Sequence, residues 1–130
     1  MQTVHDFLKK TGTYYIATID GDLPRVRPFG TINLFEGRLY IQTGKKKDIY
    51  KQLKTNPKIE ISAFDGETWL RLAATLVEDN RTVTQESMLA AYHNLRSMYA
   101  VNDGNSVVFY LKDAIAAFYT FSGEPRVVKF

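Results

Sequence analysis

Apolar and polar positions alternate along most of this chain, and short turn sequences interrupt the alternation at close intervals. The first segment is the exception: Val4, Phe7 and Leu8 recur on one face of a helix over Gln2–Lys10, and Gly12 stands where that helix would end. Tyr14–Ile19 has strand composition and runs into Asp20-Gly21-Asp22, a hairpin signal. Pro24–Leu34 is extended, with Val26, Pro28, Gly30, Ile32 and Leu34 on the expected core side and Arg25, Arg27, Phe29, Thr31 and Asn33 on the other. Pro28 has no amide to give a ladder, so this strand is expected at an edge or with a bulge.

Glu36-Gly37 turns the chain into Arg38–Gln42, where Leu39 and Ile41 continue the core side. Three lysines, Lys45, Lys46 and Lys47, open a helix marked by Ile49, Tyr50 and Leu53 and ended by Asn56-Pro57. Lys58–Phe64 alternates with Ile59, Ile61 and Ala63 inward. Beyond Asp65-Gly66, Thr68–Val77 sets Leu70, Leu72, Ala74 and Leu76 against Trp69, Arg71, Ala73 and Thr75. Thr84–Tyr92 is a further helix with Met88, Leu89, Ala91 and Tyr92 on its apolar side, and Leu95–Tyr99 a further turn. Ser106–Leu111 and Ala114–Phe121 are the last strands, followed by a tail, SGEPRVVKF. Many short strands joined by hairpin turns, with few helices, predict a mainly β fold: an antiparallel barrel forming one domain over residues 1–130. The βαβ alternation of a dinucleotide fold is missing.

Composition narrows the function. The chain has no cysteine, which excludes disulfides, thiolate metal sites and cysteine nucleophiles. No apolar run is long enough for a membrane helix, and the N-terminal residues lack a signal-peptide pattern, so a cytoplasmic protein without a membrane partner is expected. The net charge of +3 is mild and clusters near Lys45–Lys47, which suits a small anion at least as well as a polyanion such as nucleic acid; few aromatics are interleaved, so nucleic acid is not the expected partner. His5 and His93 are the only histidines and neither has a spaced partner; no acidic pair has metal-ligand spacing. No metal site and no catalytic side chain can be named. Any redox chemistry would then reside in a cofactor.

The stretch Pro24–Leu53 offers a place for one. Thr43 supplies a hydroxyl, and Gly44–Lys47 is expected to present free backbone amides at a helix start. Lysines there repel the helix dipole, which a bound anion would relieve; a solvated lysine run is the competing reading. Arg27 decides between them, because only its convergence on the same spot makes a clamp. The Trp69/Arg71 strand face needs a cover, and a dimer interface bordering the ligand is expected.

The runs R-V-R-P-F-G, E-G-R-L-Y, T-G-K-K-K-D-x-Y-K-Q-L, N-P and W-L-R, in this order, resemble the pyridoxamine 5′-phosphate oxidase-like FMN-binding split-barrel family, in its short members. The resemblance covers nearly the whole chain. It implies an antiparallel split β-barrel, a homodimer with FMN at the subunit interface, and a flavin-dependent oxidoreductase acting on a small molecule. It implies that Arg27 holds the FMN phosphate, that Pro28, Phe29 and Gly30 run along the flavin, and that Thr43, Lys46 and Lys47 complete the contacts. Trp69 corresponds to a flavin contact, contributed by the other subunit. The chain ends at Phe130 without the substrate-binding extension of true pyridoxamine phosphate oxidases, so that reaction is not expected; the triple lysine also departs from the commoner Ser/Arg/Lys pattern. Relatives of this architecture bind F420 or haem, and some are non-catalytic flavin-binding modules.

Overall fold

The computed structural model describes residues 1–130. Helix α1 (Gln2–Thr11) is followed by strands β1 (Tyr14–Asp20), β2 (Leu23–Phe29), β3 (Asn33–Phe35) and β4 (Arg38–Gly44), then helix α2 (Asp48–Thr55). Strands β5 (Lys58–Phe64) and β6 (Trp69–Asp79) precede helix α3 (Thr82–Ala91), a short 3₁₀ helix His93–Ser97, and strands β7 (Ser106–Tyr119) and β8 (Arg126–Lys129). The sheet runs β2-β1-β5-β6-β7-β4-β3, with β8 on β7, and every pairing is antiparallel. This is an antiparallel split β-barrel. The edge strands β2 and β3 follow each other in the chain, yet no ladder joins them. The barrel is open there, at Gly30–Ile32.

One apolar cluster joins Val4 and Leu8 of α1 with Ile16, Ile41, Ile49, Leu53, Ile61, Leu72 and Ala116. A smaller one joins Tyr40 and Val108 to Met88, Leu89, Leu95 and Tyr99, so α3 and the 3₁₀ helix are seated on β4 and β7. The alternation of β5 and β6 stands as the sequence predicts: Ile59, Ile61, Ala63, Leu70, Leu72, Ala74 and Leu76 are all buried. Glu36 (φ 50°) and Gly37 (φ 73°) form the β3–β4 turn with two left-handed residues, the conformation that matches strand twist. Gly12 (φ 74°) ends α1, its amide bonded to the Leu8 carbonyl. No helix is long and apolar enough to cross a membrane.

Several expectations are corrected. Pro24–Leu34 is two strands, and the phase of the first is reversed: Val26 is 67% exposed, while Arg27 and Phe29 turn inward. The chain leaves the ladder at Gly30, so alternation counted through Pro28 and Gly30 from the Ile32 side carries the wrong phase into β2. The three lysines form the turn before α2, which begins at Asp48. Ala91 is exposed, because α3 buries Thr84, Gln85, Met88 and Leu89 instead. The last two strands are one 14-residue strand, bent where the β6–β7 register shifts opposite Asp113 (φ 52°). The tail contains a further strand: Arg126–Lys129 pairs with β7.

Candidate functional site

The split is lined by groups that no strand satisfies. Strand β3 pairs with β4 only as far as Tyr40, so the edge of β4 beyond it faces the opening. There the Gln42 amide donates to Thr31 Oγ1 (3.0 Å), a side chain standing in for a missing strand. Tyr14 Oη donates to the Thr31 carbonyl (2.5 Å), and its burial pushes the phenol pKa far up, keeping it a neutral donor. Thr31 is thereby fixed between the two edges.

A cavity of about 160 Å³ lies at this point, walled by Pro28, Phe29, Gly30 and Thr31 on one side and by Leu95, Met98 and Tyr99 on the other. Gln42 and Thr43 form its floor. The Gln42 amide nitrogen donates to the Thr43 carbonyl (3.1 Å) and Ser106 Oγ (2.8 Å), which fixes the orientation of the side chain. Gln42 Oε1 and Thr43 Oγ1 are then buried without any hydrogen-bond partner. Such groups cost about 1–3 kcal/mol each when left unpaired, so these two, from successive residues on opposite faces of β4, mark the strand beside the split as incompletely satisfied.

Lys47 borders this cavity and also a larger cleft of about 770 Å³ between β2 and α2. Arg27 enters that cleft half-buried, donating through Nη1 to the Ile16 carbonyl (3.2 Å) and through Nη2 to Gln52 Oε1 (2.8 Å). Thr18 Oγ1 donates to the same Gln52 oxygen (2.5 Å). Loss of water around Arg27 lowers its pKa somewhat, so an anion would meet a partly desolvated cation. Lys47 is the N-cap of α2 with no side-chain cap bond. Three of the amides expected to be free are occupied: Lys45 N donates to the Asn105 carbonyl (2.7 Å), Lys46 N to Asn105 Oδ1 (3.0 Å) and Lys47 N to the Gly44 carbonyl (3.1 Å). Gly44 makes that approach feasible, since a Cβ there would sit 3.0 Å from Tyr99 Oη and 3.1 Å from Asn105 Oδ1.

The fold thus gathers Arg27, Pro28, Phe29, Gly30, Thr43 and Lys47 along one split. Lys46 is exposed and lines neither cleft. Trp69 also lines neither; it stacks on Tyr119 (5.4 Å, 13°) and touches Phe121 (5.2 Å) at the end of the β6–β7 ladder. Gln42, Gln52, Leu95, Met98 and Tyr99 were not singled out by sequence. A glutamine between Ile41 and Thr43 on a barrel strand was the one available signal, an amide in a buried position. Of the histidines, His5 pairs with Asp6 (3.0 Å) and His93 is exposed.

Residues 1–108 match the family described as Pyridoxamine 5′-phosphate oxidase. A crystal structure of a NimC/NimA family protein from Clostridium acetobutylicum is 38% identical, with a TM-score of 0.97 over 100% of this chain and 92% of that one. General Stress Protein 26 from Bacillus anthracis is 12% identical, with a TM-score of 0.79 over 99% of this chain and 97% of that one. A pyridoxamine 5′-phosphate oxidase-related, FMN binding protein from Nostoc punctiforme is 13% identical, with a TM-score of 0.65 over 99% and 94%. These last two likenesses bear on the fold alone. No curated protein matches the chain. The family match extends over most of the sequence, through the split and both of its clefts: the chain belongs to the pyridoxamine 5′-phosphate oxidase family.

Proposed function

We propose that residues 1–130 form one FMN-binding unit and act, as a homodimer, as a flavin-dependent oxidoreductase on a small molecule. The observation that carries this reading is the pair of orphaned buried oxygens, Gln42 Oε1 and Thr43 Oγ1, beside an apolar wall and next to a cleft holding Arg27 and Lys47. A flat ring with polar edges and a phosphate tail has complementary chemistry. When bound, FMN supplies the electron-transfer chemistry.

The chain's own residues bind and orient. Arg27, held by Gln52 and the Ile16 carbonyl, and Lys47 at the start of α2 take the phosphate. Thr43 and Gln42 complete their hydrogen bonds on the ligand, and the backbone of Pro28, Phe29 and Gly30 runs along it. Leu95, Met98 and Tyr99 keep water from that side. Lys46 adds charge from the solvent side. No side chain is assigned to proton transfer.

The outer sheet face supports the dimer reading. Val26 (67% exposed) and Ile115 (51% exposed) fall in one cross-strand row through Ala17, Glu60 and Ala73, and Tyr15 and Val127 flank it. The row is interrupted by Glu60, which pairs with Arg71 on the same face, but exposed apolar side chains grouped on a sheet in this way are normally covered. A second copy is the proposed cover, and Trp69, at the border of the face, would reach the flavin of that copy. The test of catalysis is whether the FMN-loaded protein accelerates flavin reduction by NADH or NADPH over free FMN. A rate equal to that of free FMN would leave a flavin-binding module and remove the oxidoreductase.

A further inference from the structure

The segment Gly30–Ile32 crosses the open side of the barrel without a strand neighbour, so side chains must meet its main-chain groups. Ile32 is buried, and one side chain meets both of its polar groups. Its amide donates to Tyr92 Oη (3.0 Å), and Tyr92 Oη donates to its carbonyl (3.0 Å). Lys9 Nζ donates to the same hydroxyl (3.1 Å) and stands 4.2 Å from the ring centroid. The hydroxyl thus accepts two hydrogen bonds and donates its one proton, which fills its capacity. A tyrosine 60 residues away does here what a neighbouring strand does elsewhere in the sheet.

This contact joins the two walls of the small cavity. Tyr92 stands between α3 and the 3₁₀ helix, as the cap of both, and leads directly into the wall formed by Leu95, Met98 and Tyr99. Ile32 adjoins Thr31, the last residue of the facing wall. Leu95 and Tyr99 are packed on Tyr40, Met88, Leu89 and Val108, so burial fixes their wall. The wall Pro28–Thr31 has no such support: β2 is an edge strand, and its ladder to β1 ends at Phe29. Beyond Phe29 hydroxyls hold it. Tyr14 and Thr31 tie it to the edges of the split, and Tyr92 ties it to the facing wall.

We infer that Tyr92 is a positioning residue for the flavin ring: its hydroxyl sets the spacing between Pro28–Thr31 and Leu95–Tyr99, the walls that flank the ring. A binding constellation has to be held within about 0.5 Å by the residues that support it. Tyr92 lines neither cleft and supplies that constraint from outside. The inference rests on the flavin reading of the small cavity and deepens it.

Y92F removes the hydroxyl and keeps the ring beneath Lys9. The test is titration of the full chain with FMN and with riboflavin, well below the Tm of each variant. I61V serves as control, because Ile61 belongs to the main core and lines neither cleft. Y92F is expected to weaken both flavins by the same factor, because the walls hold the ring and not the phosphate. That factor is at least about threefold, within the roughly 2- to 12-fold of one hydrogen bond of ordinary net strength. I61V is expected to lower Tm and leave both affinities within about twofold. Hydrogen exchange on the native protein gives a measurement that needs no variant. Saturation with FMN is expected to slow the Ile32 amide, outside the cavity, together with the Met98 and Tyr99 amides that bond to the Leu95 carbonyl. A smaller loss in Y92F, a loss confined to FMN, an equal loss in I61V, or an Ile32 amide indifferent to FMN overturns the positioning role and leaves the flavin reading standing. Native protein that binds neither flavin overturns both.

Discussion

Replacing Arg27 by alanine separates phosphate recognition from ring recognition. The guanidinium uses two nitrogens within the protein, Nη1 on the Ile16 carbonyl and Nη2 on Gln52 Oε1, and stands half-buried in the larger cleft. Hydrogen bonds to a charged group contribute about 1.5–3 kcal/mol, so losing the phosphate contact raises the FMN Kd roughly 10- to 150-fold. The substitution also leaves Gln52 Oε1 with only the Thr18 hydroxyl. That loss loosens α2 against β1 and affects every ligand of the cleft. Riboflavin, which has the same ring and ribityl chain but no phosphate, reports this indirect part. Quenching of flavin fluorescence gives both affinities. FMN is expected to weaken by at least about tenfold more than riboflavin, and R27K to recover part of the difference because it restores charge without the planar fork. Equal losses for FMN and riboflavin would refute a phosphate role and reduce Arg27 to a support for α2.

Thr43→Val has opposite effects on the free and loaded protein. Removing an unpaired buried hydroxyl raises the stability of the free protein by about 1 kcal/mol, a few degrees in Tm, while FMN binding weakens; a drop in Tm without FMN would show the hydroxyl is already paired. Asp65 accepts from the Glu67 and Thr68 amides in the β5–β6 turn, and those bonds, with Lys10 beside them, lower its pKa from 3.8 to about 2. A lowered pKa means stability that is complete above pH 3.8 and lost as pH falls toward 2. The Tm difference between native protein and D65A should therefore be constant near neutrality and vanish in that window, and a difference that persists at pH 2 would contradict it. Ile115→Lys sets a charge on the exposed sheet face and is expected to convert a dimer to a monomer in sedimentation; an unchanged sedimentation coefficient would place the interface elsewhere.

Where one face of a strand is buried, the sequence already shows it. Ile59, Ile61 and Ala63 on β5 and Leu70 to Leu76 on β6 alternate without interruption, and the structure keeps that phase. Turn chemistry was equally readable at Glu36-Gly37, where both residues require a left-handed backbone. Around Pro28 and Gly30 the alternation misleads for a physical reason. Alternation carries phase only while the chain stays in a ladder, and here it leaves one at the barrel split, which exposes Val26 and turns Arg27 inward. The same irregularity makes the site. Arg27, Thr43 and Lys47, which line the two clefts, stand out in the sequence because their chemistry is unusual for a strand and a helix start. Gln52 does not, because it meets Arg27 only through the packing of α2 on β1, 25 residues away in the chain. Asn105, which takes the Lys45 and Lys46 amides, comes from a loop about 60 residues distant, and no local pattern points to it. The strand β8 was missed because four residues after a Gly-Glu-Pro turn carry too little alternation to identify.

The central claim is that the split between β2 and β4 holds a flavin. Its most direct test is the visible spectrum of the purified protein, combined with the mass of any ligand released on denaturation and a titration of the stripped protein with FMN. The account predicts flavin absorption, a released flavin nucleotide, and saturable rebinding that T43V and R27A weaken. A haem spectrum, or a colourless protein that takes up no FMN, would contradict it.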